Sequence, residues 1–149
     1  MHIAINGFGR IGRAAFKAGF GQTKIKIVGI NDLTDTKTLA HLLQHDTAYH
    51  KWNHEVKFDE KNLIVDGQKI PVFAEKDPAV LPWGKLKVDV VIESTGKFTK
   101  KEGAELHLKA GAKKVVLSAP AKGGGVPTYV RGVNCAKVPN EKSLVINNA

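Results

Sequence analysis

Three glycines at Gly7, Gly9 and Gly12, in the spacing G-x-G-x-x-G, restrict the fold more than any other feature of the chain. They lie between a short apolar run, residues 2–6 (HIAIN), and residues 10–20, which are predicted to form a helix. A first glycine there permits a tight turn out of a strand. A second lets the backbone approach a pyrophosphate, and a third lets the helix lie close to the sheet. The helix start then offers unpaired amides and a partial positive charge to an anion. The hexapeptide Gly7, Phe8, Gly9, Arg10, Ile11, Gly12 is therefore read as a phosphate-binding turn. Without its context the pattern would fit an ordinary tight turn equally well. Asp32 adds a second signal, 20 residues past Gly12 and at the end of the next apolar run, 25–31 (IKIVGIN). A carboxylate at that place accepts hydrogen bonds from the adenosine ribose hydroxyls and repels a 2′-phosphate, so NAD is favoured over NADP.

Strand-like and helix-like segments alternate along the rest of the chain. Residues 35–45 carry Leu39, Leu42 and Leu43 at helical spacing, with Asp35 or Thr36 as the cap. Residues 55–59, 62–66 and 69–74 are predicted hairpin strands, and Asp66-Gly67 is the turn signal between the last two. Residues 88–93 (VDVVIE) form a buried strand. Residues 99–110 form a helix with Thr99 and Glu102 at capping-box spacing and Gly111 as its left-handed stop. A strand at 114–119, a glycine-rich loop at 121–127 and the segments 127–133 and 144–147 complete the order. Such alternation argues for an α/β, doubly wound, mostly parallel sheet of Rossmann type with a small antiparallel insertion near residues 55–74. No internal repeat and no linker divides the chain, so residues 1–149 are read as one domain.

Composition bounds the partners. Hydrophobic residues make up 42% and charged residues 25%, the balance of a folded globular chain. No apolar run nears the roughly 20 residues that span a bilayer, and no signal peptide is visible at the N-terminus. The single cysteine, Cys135, allows no internal disulfide, which fits the cytoplasm. The net charge of +9 suits anionic ligands. Nucleic acid is disfavoured as a partner, because the lysines form no long run and do not interleave with aromatics. The six histidines show no metal-ligand spacing; His41 and His45 fall at i, i+4, but without H-E-x-x-H, and no metal is expected.

The stretches INGFGRIGR (residues 5–13) and IVGINDL (27–33) closely resemble phosphorylating glyceraldehyde-3-phosphate dehydrogenase. The likeness continues through HLLQHDTAY, EKDP, WGKLKVDVVIESTGKFT, AGAKKVVLSAPAKG and GVN to the terminal INNA, and it corresponds to that family's N-terminal half. The resemblance implies a pyrophosphate loop at Phe8, Gly9, Arg10 and Ile11, and an adenosine-ribose site at Asn31 and Asp32. It implies that Lys76 and Phe98 border the adenine, that Ser94, Thr95 and Gly96 close a strand at the ligand end of the sheet, and that Ser118 faces the nicotinamide side.

In the family the Asn-Asn-Ala run leads into a catalytic cysteine, which attacks the aldehyde before hydride passes to NAD and phosphate releases the acyl group. The resemblance thus implies a parent enzyme acting on a phosphorylated aldehyde with inorganic phosphate and assembled as a homotetramer, and a chain that by itself holds no catalytic residue. Cys135 is read as an ordinary thiol. The rival readings are a dehydrogenase of erythrose 4-phosphate and a dinucleotide-binding module without catalysis. One departure concerns the backbone directly: His50 stands where the family commonly has glycine.

Overall fold

A computed structural model describes residues 1–48, 50–134 and 142–149; Cys135 lies outside them. Eight strands form one sheet in the order β3-β4-β5-β2-β1-β6-β7-β8. Strand β1 (His2–Asn6) leads through helix α1 (Arg10–Gly19) to β2 (Lys26–Asn31). Helix α2 (Thr36–Gln44) follows, then the short strands β3 (Val56–Phe58), β4 (Asn62–Val65) and β5 (Gln68–Phe73). A 3₁₀ turn at Pro78–Val80 precedes β6 (Val90–Glu93), helix α3 (Lys101–Lys109), β7 (Lys114–Leu117) and β8 (Val145–Asn147). From β5 to β8 the pairings are parallel, whereas β3-β4 and β4-β5 are antiparallel. This is the doubly wound, mostly parallel architecture with the antiparallel insertion expected of the sequence. No helix among the described residues is long and apolar enough to cross a membrane.

Period-2 alternation sorts the apolar side chains onto two covered faces. Ile5 and Ile30 join Phe8, Phe16, Leu39 and Leu43 on the face covered by α1 and α2, with Leu63, Val65 and Ile70 of the insertion. Ala4 and Val91 pack on the opposite side with Leu81, Trp83 and Val88. A smaller cluster of Ala104, Val115, Leu117 and Val145 seats α3 against the last strands.

Local chemistry explains most element boundaries. Asp35 caps α2, its carboxylate accepting from the Thr38 amide at 2.9 Å. Asp66 and Gly67 both have positive φ, 47° and 79°, the geometry of the two-residue turn that matches strand twist. Gly111 has φ 99°, and its amide donates to Leu108 while that of Ala112 donates to His107, which closes α3 with the paired bonds of a Schellman stop.

One expectation fails. Thr99 does not cap α3: the cap is Lys100, with no side-chain hydrogen bond, so the helix begins later than the Thr99–Glu102 spacing suggests. Thr99 is instead buried, and its carbonyl accepts from the Lys122 amide at 3.0 Å. Two strands are also shorter than expected, β6 starting late at Val90 and β7 stopping early at Leu117. In segment 127–133 the ladder contact is an isolated bridge from Thr128 to Asn147.

Candidate functional site

The chain runs outward from β1 through β2 on one side and returns to β6 on the other, so the strand order reverses between β1 and β6. Open α/β sheets bind ligands outside the carboxyl ends of the strands at such a reversal. A cleft of ≈ 630 Å³ lies there, lined by Asn6, Gly7, Gly9, Asn31, Asp32, Leu33, Glu75, Lys76, Thr95, Lys97 and Phe98.

The glycine turn is built as its spacing requires. Gly7 has φ 89°, and a Cβ on it would lie 2.7 Å from the Thr95 amide nitrogen. A Cβ on Gly12 would lie 2.1 Å from the Gly7 carbonyl oxygen, so α1 can approach the strand end only with glycine at that position. Helix α1 has no side-chain cap and no acidic residue in its first turn. Its positive end therefore starts beside Gly9, at the cleft, without a competing carboxylate in that turn. Helix α2 differs in this respect, because Asp35 already occupies its start.

Asp32 binds the turn as well as facing the cleft. Its Oδ2 accepts from the Phe8 amide at 2.7 Å, and its Oδ1 accepts from the Thr34 amide at 2.9 Å. A carboxylate has about four lone-pair directions, so acceptor capacity remains for a ligand hydroxyl. Ser94 also works behind the turn, its hydroxyl donating to the Gly7 carbonyl at 2.7 Å.

The structure brings Gly7, Gly9, Asn31, Asp32, Lys76, Thr95 and Phe98 together. Phe98 is half-buried as a cleft wall rather than a core aromatic, and Lys76 is exposed at the rim. Other predicted residues stand apart from the lining. Phe8 is 1% exposed, its ring packed edge-on to Phe16 at 5.5 Å and its amide taken by Asp32, so it supports the turn from the core side. Gly12 and Ser94 likewise shape the turn from behind. Arg10 and Ile11 are exposed on the first turn of α1, outside the cleft lining. Gly96, with φ 72°, lines an adjoining depression that shares Lys97 and Phe98 with the cleft. Ser118 directly follows β7, its amide donating to the Glu93 carbonyl at 3.0 Å, and lies outside the cleft.

Asn6, Leu33, Glu75 and Lys97 line the cleft without having been singled out from the sequence. Asn6, the last residue of β1 and immediately before Gly7, was the one that strand polarity alone could have identified.

A model of the family described as "Glyceraldehyde 3-phosphate dehydrogenase, NAD binding domain" matches residues 1–101. The chain belongs to this family. It is 51% identical over 149 residues to the glyceraldehyde-3-phosphate dehydrogenase of Geobacillus stearothermophilus, covering 100% of this chain and 44% of that protein. Against the enzyme of that name from Thermotoga maritima it is 53% identical over 145 residues, covering 96% of this chain and 43% of the relative. The one from Clostridium acetobutylicum is 54% identical over 143 residues, with 96% and 42% covered. The chain spans less than half the length of these curated relatives. It is an NAD-binding domain of the glyceraldehyde-3-phosphate dehydrogenase family, and its cofactor is NAD.

Proposed function

We propose that the cleft at the β1/β6 reversal holds the adenosine and diphosphate portion of NAD for an enzyme that oxidises a phosphorylated aldehyde to an acyl phosphate. The observation that carries this reading is the meeting of an uncapped α1 start at Gly9 with the Asp32 carboxylate in one cleft. The first-turn amides of α1 would bind the diphosphate. Asp32 would accept from the ribose hydroxyls, and a 2′-phosphate beside it would meet like charge. Lys76 and Phe98 would border the adenine, and Ser118 would stand toward the nicotinamide. When bound, NAD supplies the hydride acceptor; this chain's residues bind and orient it.

In this reading residues 1–149 form the cofactor domain, and the cysteine nucleophile, its activating histidine and the phosphate-binding residues belong to the rest of the relatives' length. Inorganic phosphate and glyceraldehyde 3-phosphate are the co-substrates, a homotetramer is the working assembly, and the cytoplasm is its location. The relatives' printed names support the glyceraldehyde 3-phosphate assignment; phosphate and the homotetramer follow from the family resemblance, and the single cysteine fits the cytoplasm.

The test compares two proteins. A complete protein carrying this domain should reduce NAD with glyceraldehyde 3-phosphate, and turnover should depend on inorganic phosphate. The 149-residue chain should bind NAD yet produce no NADH. Sustained NADH formation by the chain alone, or indifference of the complete protein to phosphate, would contradict the reading.

A further inference from the structure

Beneath the cleft lies a buried carboxylate that is not part of the cleft lining. Glu93, the last residue of β6, is 3% exposed. Its Oε2 accepts from Asn6 Nδ2 at 2.5 Å and from His107 Nε2 at 2.9 Å. Its Oε1 accepts from the Thr95 amide at 2.8 Å and from the Thr95 hydroxyl. Burying a carboxylate is costly unless hydrogen bonds replace its water, and here donors meet both oxygens.

The polarity of the surrounding groups follows. Trp83 Nε1 can only donate, and it lies 3.0 Å from His107 Nδ1. Nδ1 is therefore the acceptor, Nε2 carries the proton, and that proton points at Glu93. The 3.3 Å between Asn6 Nδ2 and His107 Nε2 is the spacing of two donors converging on one oxygen.

Because Asn6 gives its NH₂ to Glu93, its Oδ1 faces the other way and accepts from Asn31 Nδ2 at 2.7 Å. Asn31 in turn grips the backbone of Glu75, donating to its carbonyl at 2.9 Å and accepting from its amide at 2.8 Å. On the other branch, the Thr95 hydroxyl oxygen accepts from the Lys97 amide at 3.1 Å. One branch thus ends on the wall that carries Glu75 and Lys76, and the other on the wall that carries Thr95, Lys97 and Phe98.

We propose that Glu93 is a positioning residue for the cofactor: a carboxylate beneath the β1/β6 reversal that ties both walls of the cleft to one anchor and fixes the orientation of Asn6 and Thr95. The inference rests on the cleft being the NAD site. Glu93 touches no ligand in this account; it acts through Asn6 and Thr95.

Glu93→Gln keeps the shape but replaces an acceptor by a donor. The Thr95 hydroxyl can turn to accept that donor, while the Thr95 amide cannot, so the new NH₂ should settle on the Thr95 side. In the full chain, residue-resolved amide exchange should then accelerate at Thr95 and Lys97 more than across β1 and β2. The NAD dissociation constant should rise about tenfold, the scale of one lost hydrogen bond to a charged group. Val91→Ala, on the same strand and in the core, should lower thermal stability and leave NAD affinity within about twofold, which separates positioning from general destabilisation.

If Glu93→Gln does not fold, Thr95→Val removes the hydroxyl that joins Glu93 to Lys97 and should accelerate exchange at Lys97 with weaker NAD binding. Unchanged NAD affinity in the folded Glu93 variant, or in Thr95→Val, would overturn the role given to Glu93. NAD leaving the Gly9 and Asp32 amide resonances of the unmodified chain undisturbed would overturn the site itself, a failure distinguishable from the first.

Discussion

A single methyl on Gly12 would meet the Gly7 carbonyl oxygen at 2.1 Å, and that oxygen belongs to backbone that cannot turn aside. Gly12→Ala should therefore push α1 off the strand end. We expect a loss of about 1–3 kcal/mol or more in denaturant unfolding, together with loss of NAD binding.

Asp32 has two tasks, and its replacement should show both. Asp32→Ala frees the Phe8 and Thr34 amides, which loosens the glycine turn, and removes the charge that opposes a 2′-phosphate. Calorimetric titration should show NAD binding weakened and the preference for NAD over NADP reduced; equal binding of both cofactors by the unmodified chain would contradict the role of Asp32.

His50 gives a residue-scale prediction of the opposite sign. It occupies φ 61°, a conformation that costs a non-glycine residue roughly 1–2 kcal/mol. A glycine at this place would relieve that strain, at some cost in unfolded-chain entropy. His50→Gly should thus raise the unfolding midpoint modestly.

Among the elements, helix α2 and strand β6 are tied down by carboxylates of different kinds. Asp35→Ala removes the bond to the Thr38 amide and should lower the unfolding midpoint, as loss of an N-cap does. Asp89 joins the start of β6 to its neighbours. It accepts from Lys113 Nζ at 2.6 Å and from the His2 amide at 2.8 Å. The Lys113 bond first, then the His2 bond, hold its carboxyl down from 3.8 to about 2. A depressed carboxylate contributes stability above its unfolded-state value and loses it as pH falls through its folded-state value. The contribution of Asp89 should therefore fade between about pH 4 and pH 2, and the stability of Asp89→Asn should fall less steeply across that window in acid titrations followed by circular dichroism.

Elements that announce themselves through local chemistry were legible in the sequence, and those settled by tertiary partners were not. The Asp66-Gly67 turn, the Asp35 cap and the Gly111 stop depend on residues a few positions apart. Thr99 carried an equally good local signal, yet it is buried, and α3 starts at Lys101. The site divides the same way. Gly7, Gly9 and Asp32 were readable because one turn and one strand end place them. Asn6, Glu75 and Lys97 enter the cleft through a hydrogen-bond network whose members come from distant parts of the chain. Glu93 and His107 are 14 residues apart, and Asn6 and Glu93 are 87 apart, so no sequence spacing advertises them.

For the whole molecule, the sheet order decides where ligand chemistry can occur. The chain leaves the carboxyl ends of β1 and β6 toward opposite sides of the sheet, and the glycine turn, Asp32 and the two tethered walls meet there. A second open depression, lined by Gln44, Trp52, His54 and Asp66, sits by the antiparallel insertion and away from that reversal. The two locations give different answers to one experiment, a titration of isotope-labelled chain with NAD followed by amide chemical shifts. The account predicts the largest changes at Gly7, Gly9, Asp32, Lys76, Thr95 and Lys97. Changes concentrated instead at Trp52, His54 and Asp66, with the glycine turn silent, would contradict it.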